Sequence, residues 1–241
     1  MPKLLIPKEI KEIISKFEEN GLKGFIVGGC VRDLLMGKEP EDWDITTDAT
    51  PEKIREIFSE NFYEYNFGTV TVETSSSNAH LKEIQITPYR IEGKYSDKRH
   101  PDEIRWARTL QEDLSRRDFT INAIAMDREG IIYDPFAGQL DIRQKTIRTV
   151  GKPEDRFGED ALRILRAARF ATVLDFALDQ ATRDAIQSNH GWLQAISKER
   201  IRDELAKIIE SDRAYDGMLL LEELGLLQHI IPELREGIGV E

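Results

Sequence analysis

Two aspartates one residue apart, Asp42 and Asp44, are the residues of this chain best suited to chemistry. On an extended strand, residues i and i+2 share a face, so their carboxylates point the same way. Like charges held side by side are costly unless a cation lies between them. Hard oxygen donors of this kind suit Mg2+, which takes one or two carboxylates together with substrate phosphates. A solvated strand edge is the competing reading, because D-x-D triplets are common. The preceding residues shift the balance. Gly28 and Gly29 follow a short apolar run, and Arg32 stands three residues further on. Adjacent glycines let a backbone approach a phosphate closely, and amides opening a helix can point at the anion. A guanidinium binds it through two parallel hydrogen bonds. The pair fits neither the G-x-G-x-x-G fingerprint nor the G-K-[ST] of a P-loop. Alone it would read as a plain turn. Shortly before paired carboxylates, it reads as a phosphate cradle beside a metal site.

Two arginine clusters follow. In LSRRDFTINAIA (114–125), Arg116 and Arg117 adjoin Asp118, a pattern that usually forms a surface ion pair. In EDALRILRAARF (159–170), Arg163, Arg166 and Arg169 recur every three residues and fall along one side of a helix. Asp160 lies one turn ahead of Arg163, and Leu162, Leu165 and Phe170 face a core. A salt-bridged solvent face is the bland alternative. Little acid follows Asp160 on that side, which favours contact with a polyanion. His80, His190 and His229 show no metal-ligand spacing and read as surface or satisfied core histidines, and His100 as a loop residue without a role. Cys30 reads as a small packing residue. Strand alternation sends Trp43 into the core.

These residues need elements to hold them. Ile10, Ile13, Ile14 and Phe17 recur at helical spacing over 8–20, and Gly21 suits the stop. GFIV (24–27) reads as a strand leading into the glycine pair, with a short helix over 31–36 closed by Gly37. Asp42–Thr46 reads as a second strand. Thr50 as N-cap and Pro51 at the first helical position start a helix to about Phe58. Residues 62–73 and 81–89 are rich in β-branched and aromatic side chains and read as strands, joined by a polar turn. Residues 91–103 read as a mobile surface loop. From about 153 strand signals cease, and four amphipathic helices follow.

Composition bounds the function. The chain has 241 residues, 40% hydrophobic and 33% charged, which is globular rather than disordered. Its formal charge of −11 argues against binding nucleic acid through bulk positive charge, but leaves room for a local basic cleft. One cysteine excludes a disulfide framework or a cysteine-based zinc site. No apolar run reaches the ~18 residues of a membrane span. The opening MPKLLIPKEI lacks a signal-peptide apolar region, so a cytoplasmic protein without membrane contact is expected.

GGCVRDLLMG followed by DWDITTDATPEKI resembles the head motif of class II tRNA nucleotidyltransferases, the CCA-adding enzymes and bacterial poly(A) polymerases. RRDFTINAIA and EDALRILRAARF resemble the family's next two motifs in order and spacing, and DPFAGQLDIRQKTIRTVG (134–151) its head-to-neck passage. The resemblance implies an α+β fold, a nucleotidyltransferase-type mixed β-sheet head followed by an all-helical neck. The expected division is a head over 1–150, a neck over 151–211, and the opening of a helical body over 212–241. The family's body and tail grip tRNA, so a weak tRNA grip is expected of this chain. By the same resemblance Gly28, Gly29 and Arg32 take the nucleotide phosphates, and Asp42 and Asp44 are catalytic and hold Mg2+. Arg117 contacts the nucleotide, Asp160 and Arg163 read the base edge, and Arg166 and Arg169 add contacts. Where some relatives carry a further acidic residue this chain has Gln85, leaving Glu83 as the candidate.

The implied activity is template-independent addition of C and A to the tRNA 3′ end from CTP and ATP. Poly(A) polymerase is the nearest rival. NFGTVTVE (66–73) resembles the CCA-adding side, and the arginine-rich signature of the polymerases is absent. Relatives adding only CC are typically shortened at the loop present here over 91–103, so the full enzyme or an A-adder is preferred. A non-catalytic RNA-binding module would have no need of Asp42 and Asp44 together.

Overall fold

The computed structural model describes residues 5–58, 61–64, 68–92 and 104–237. They form two compact units, one reaching Glu92 and continuing over Ile104–Ile142, the other from Arg143 onward. In the first, helix α1 (Lys8–Glu19) leads into strand β1 (Gly24–Val27), helix α2 (Gly29–Leu35) and strand β2 (Asp44–Thr47). Helix α3 (Pro51–Ile57) and strands β3 (Asn61–Glu64), β4 (Thr69–Glu73) and β5 (Glu83–Pro88) follow. Then come the strands β6 (Arg90–Glu92) and β7 (Ile104–Trp106), helix α4 (Leu110–Ser115), strands β8 (Ala125–Met126) and β9 (Ile132–Tyr133), and helix α5 (Gly138–Gln144).

Seven strands form one sheet in the order β3-β4-β5-β2-β1-β8-β9. Only β2 and β5 pair in parallel, which makes the sheet mixed. Ile10, Ile14 and Phe17 of α1 cluster in one core with Ile26, Ile45, Ile84 and Ile86. Trp43 joins that core at 3% exposure, as alternation predicts. The same alternation turns Asp44 and Thr46 to the opposite face.

Three local features differ from expectation. The run 62–73 contributes to two strands, β3 and β4, paired antiparallel. Asp42 stands just before β2, not within it. The flanks of the proposed loop over 91–103 pair as the β6–β7 ribbon, whose three-residue strands are too short to give a strand signal. Residues 93–103 themselves lie outside the described residues. Local caps behave as the sequence predicts. The Thr50 side chain accepts from Lys53 N at 3.3 Å, with Pro51 at the start of α3. Helix α4 opens on a reciprocal cap that was not foreseen: Thr109 Oγ1 accepts from Glu112 N, and Glu112 Oε2 accepts from Thr109 N.

The second unit begins with strand β10 (Thr146–Ile147) and helices α6 (Pro153–Glu159) and α7 (Leu162–Leu174). Strand β11 (Ala177–Leu178) and helices α8 (Gln180–Asn189), α9 (Lys198–Ile209), α10 (Ala214–Glu223) and α11 (Leu227–Ile230) complete it. It is helical, as expected, apart from the two-residue parallel pair β10–β11. Leu165 and Ala168 of α7, Ile208 of α9 and Leu221 of α10 are among its buried residues, and α7 packs against both α9 and α10. His190 and His229, 39 positions apart, meet with ring nitrogens 2.7 Å apart, a contact that sequence spacing does not reveal.

Phe17 is fully buried and meets the Phe58 ring edge-on at 5.3 Å. Truncation to Ala removes a large buried ring at the junction of α1 and the sheet. A loss of about 3–5 kcal/mol is expected from a urea titration of Phe17→Ala.

Candidate functional site

The glycine turn is shaped by Gly28. Its φ of +86° is costly for a residue with a side chain, and its N–H is donated to Ile124 O at 3.2 Å. The amides the turn can offer to an anion therefore begin at Gly29. A Cβ on Gly28 would lie 3.1 Å from Arg117 Nη1 and 3.9 Å from Asp44 Oδ2. The structure thus brings Gly28, Arg117 and Asp44 together at one point. Arg32 folds back over Gly29, its Nη2 3.6 Å from where a Cβ would stand. Its Nη1 donates to Asn122 Oδ1 at 2.8 Å, and its Nε to Asp33 Oδ1 at 2.9 Å. Asn122 in turn donates to Asp118 Oδ1, so the second motif clamps an arginine of the first. Asn122 and Asp33 are positioning partners that sequence reading did not assign.

Asp42 and Asp44 line one cavity of about 350 Å³ with Glu83, Gln85 and His80. Gln85 stands directly beside Asp44 in the parallel β2–β5 register. Burial pushes the Asp44 carboxyl above its ordinary range. Arg117 opposes that rise, and the charge of Asp42 adds to it. A cation shared by the two carboxylates would relieve both the burial cost and the repulsion, so these residues fit a hard divalent ion. Among the described residues no group of three or more His, Cys, Asp or Glu has metal-holding geometry. Two carboxylates would therefore leave most of the coordination shell to water and phosphate oxygens, as Mg2+ favours. Cys30 is buried, with its thiol pushed up to about 12 mainly by burial, which suits packing rather than nucleophilic attack.

Asp118 is itself buried, so it does not belong to the exposed surface pair that its adjacency to Arg116 and Arg117 suggests. Both arginines turn back to Asp113, a fully buried carboxylate on α4, at 2.9 and 3.3 Å. Arg117 Nε is buried without a hydrogen-bond partner among the described residues. That leaves the guanidinium partly satisfied beside the glycine turn.

In the second unit Asp160 sits in the break between α6 and α7, not inside one helix. Its carboxylate accepts from Leu162 N at 3.0 Å and pairs with Arg200 Nη2 at 2.7 Å. Arg163 is largely buried and pairs with Glu159. Arg166 and Arg169 both reach Glu204 of α9, at 3.4 and 2.5 Å. The reading of an arginine row with little nearby acid is thus corrected. The acid comes from α6 and from buried Glu204, which the helical spacing of α7 alone does not show.

A mixed sheet carrying a glycine turn and two carboxylates at one edge of β2 defines a nucleotidyltransferase-type head, as the sequence motifs implied. The family model described as "Poly A polymerase head domain" matches residues 24–148, and the chain belongs to that family. A second model, "Probable RNA and SrmB- binding site of polymerase A", matches residues 175–238. A "CCA-adding enzyme" of Lactobacillus delbrueckii subsp. bulgaricus is 47% identical over 197 residues, 81% of this chain and 48% of the relative. The Bacillus stearothermophilus CCA-adding enzyme, solved in complex with CTP, matches with a TM-score of 0.84 at 41% identity. That match covers 92% of this chain and 53% of that one. The Thermotoga maritima CCA-adding enzyme complexed with tRNA_CCA matches with a TM-score of 0.79 at 25% identity, over 95% and 54% of the two chains. The chain spans about half the length of the curated relatives it matches. Among the described residues, no helix is long and apolar enough to cross a membrane.

Two outcomes follow from this geometry. Gly28→Ala should strain the turn and crowd Arg117, lowering stability by about 1–3 kcal/mol in a urea titration. Asp44, with its carboxyl raised, favours the folded state at low pH and loses that contribution as pH rises through its folded value. Asp44→Asn should therefore melt at or above the wild-type temperature at pH 7, the advantage vanishing below about pH 4.

Proposed function

We propose that the chain carries out template-independent nucleotidyl transfer, adding C and then A to the 3′ end of tRNA from CTP and ATP. The observation that carries this reading is the convergence of Asp44, the Gly28 turn and the partly satisfied guanidinium of Arg117. The 3′-hydroxyl oxygen attacks the α-phosphorus of the incoming nucleotide, the bond to the β-phosphate breaks, and pyrophosphate leaves. Most of the protein's contribution is positioning and charge neutralisation. Gly29, Arg32 and Arg117 orient the triphosphate. Asp42 and Asp44 would hold Mg2+, which when bound activates the hydroxyl and neutralises the leaving group.

Base choice falls to Asp160 and Arg163, with Arg166 and Arg169 as further nucleotide contacts. A carboxylate accepts and a guanidinium donates, so together they match the edge of cytosine or, after a small rotation, of adenine. Arg200 and Glu159 hold these two side chains in defined orientations. Functionally, 1–150 serves as the catalytic head, 151–211 as the neck and 212–241 as the beginning of the body.

The reading is tested by incubating the protein with Mg2+, tRNA lacking CCA and one labelled nucleotide at a time. CTP alone should add two residues, and ATP should add one only after both are in place. Runs of A from ATP alone would indicate polyadenylation instead. Asp42→Ala and Asp44→Ala should each abolish incorporation while leaving the fold intact. Near-normal turnover in either at saturating Mg2+ contradicts the site. Asp160→Ala should relax discrimination against UTP and GTP by about 1–3 kcal/mol, read as the ratio of kcat/KM values.

A further inference from the structure

Asp113 is a fully buried titratable group to which the activity above gives no part. Five donors converge on its two oxygens. Oδ1 accepts from Arg116 Nε at 3.0 Å, Arg116 Nη2 at 2.9 Å and Arg90 N at 3.3 Å. Oδ2 accepts from Thr46 Oγ1 at 3.2 Å and from Arg117 Nη2 at 3.3 Å. Burial alone would raise this carboxyl. The charges of Arg117 and Arg116, with hydrogen bonds from the Arg116 side chain and the Arg90 amide, outweigh that and hold it below its ordinary range.

Asp113 is the single hydrogen-bond acceptor that Arg117 has among the described residues. A long guanidinium side chain with one tether takes its position from that tether. The same carboxylate oxygen is fixed from the other side by Thr46, which lies two residues beyond Asp44 on β2. The tether therefore references Arg117 to the strand that carries Asp44. Helix α4, which presents Asp113, is itself fixed by the reciprocal Thr109–Glu112 cap.

We propose that Asp113 is a positioning residue for nucleotide binding, holding Arg117 over the Gly28 turn and in register with Asp44. This rests on the reading of Arg117 as a nucleotide contact. A simple electrostatic role gives the opposite sign. Removing a buried negative charge raises the positive potential at the site and would tighten binding of a triphosphate. Positioning predicts looser binding, because the guanidinium loses its fixed place.

The experiment is a double-mutant cycle of Asp113→Asn and Arg117→Ala in the full chain, read by calorimetric titration with CTP and Mg2+. Asp113→Asn is expected to weaken CTP binding about tenfold in the wild-type background, within the range for a hydrogen bond to a charged group. It should add nothing once Arg117 is Ala. Tighter binding in Asp113→Asn, or an equal further loss in the Arg117→Ala background, overturns the proposal. If Arg117→Ala binds CTP normally, the assignment of Arg117 fails and takes this role with it. If Arg117→Ala is weakened while Asp113→Asn is not, only the role of Asp113 fails. Should Asp113→Asn not fold, Thr46→Val decides. It keeps the buried shape but removes the hydroxyl that steadies Oδ2, so CTP binding should weaken a few-fold, again only when Arg117 is present. Unchanged binding in Thr46→Val would then overturn the proposal.

Discussion

The first unit is organised around an unfavourable carboxylate. Asp44 is held where burial and Asp42 both oppose its charge, and Arg117 offsets part of that cost. Each neighbouring feature bears on this balance. Gly28 lacks a Cβ where one would crowd the arginine and touch the aspartate. Trp43 anchors the intervening position in the core, which turns Asp44 to the opposite face of the strand. Such an arrangement is poor for stability and good for holding a cation against phosphates, the trade expected where function sets the local structure.

Arginines dominate both units, and nearly all of those near the proposed nucleotide contacts are already paired. Arg32 rests on Asp33 and Asn122, Arg163 on Glu159, and Arg166 and Arg169 on Glu204. In a chain of net charge −11, unpaired arginines would draw on surrounding acid in any case. Pairing of this kind holds each guanidinium in one orientation, because its donors form a rigid planar fork. This would reconcile an acidic protein with the polyanionic substrate proposed for it. Local orientation replaces bulk positive charge.

Much of this was legible in the sequence, for local reasons. Periodicity located α1, the strands around the glycine pair and the four amphipathic helices, because a buried face imposes its spacing. Thr50-Pro51 marked the start of α3 through cap chemistry, and alternation after Trp43 gave the facing of Asp44. The partners were not legible. Asp113 lies 67 residues from Thr46, and Glu204 lies 38 from Arg166. His190 and His229 met without any spacing signal. Such pairings belong to the tertiary fold, and no local pattern records them. The β6–β7 ribbon and the β10–β11 pair escaped for another reason: strands of two or three residues are too short to show alternation.

In the proposed function, Asp42 and Asp44 hold a divalent ion against the triphosphate of an incoming nucleotide. The most direct test is a crystal of the protein with CTP and Mn2+, with anomalous scattering recorded at the manganese edge. The account predicts a peak between the two carboxylates and the triphosphate, with phosphate oxygens reached by Arg117 and Arg32. A nucleotide bound with its triphosphate away from Asp44, or manganese bound elsewhere, would contradict it.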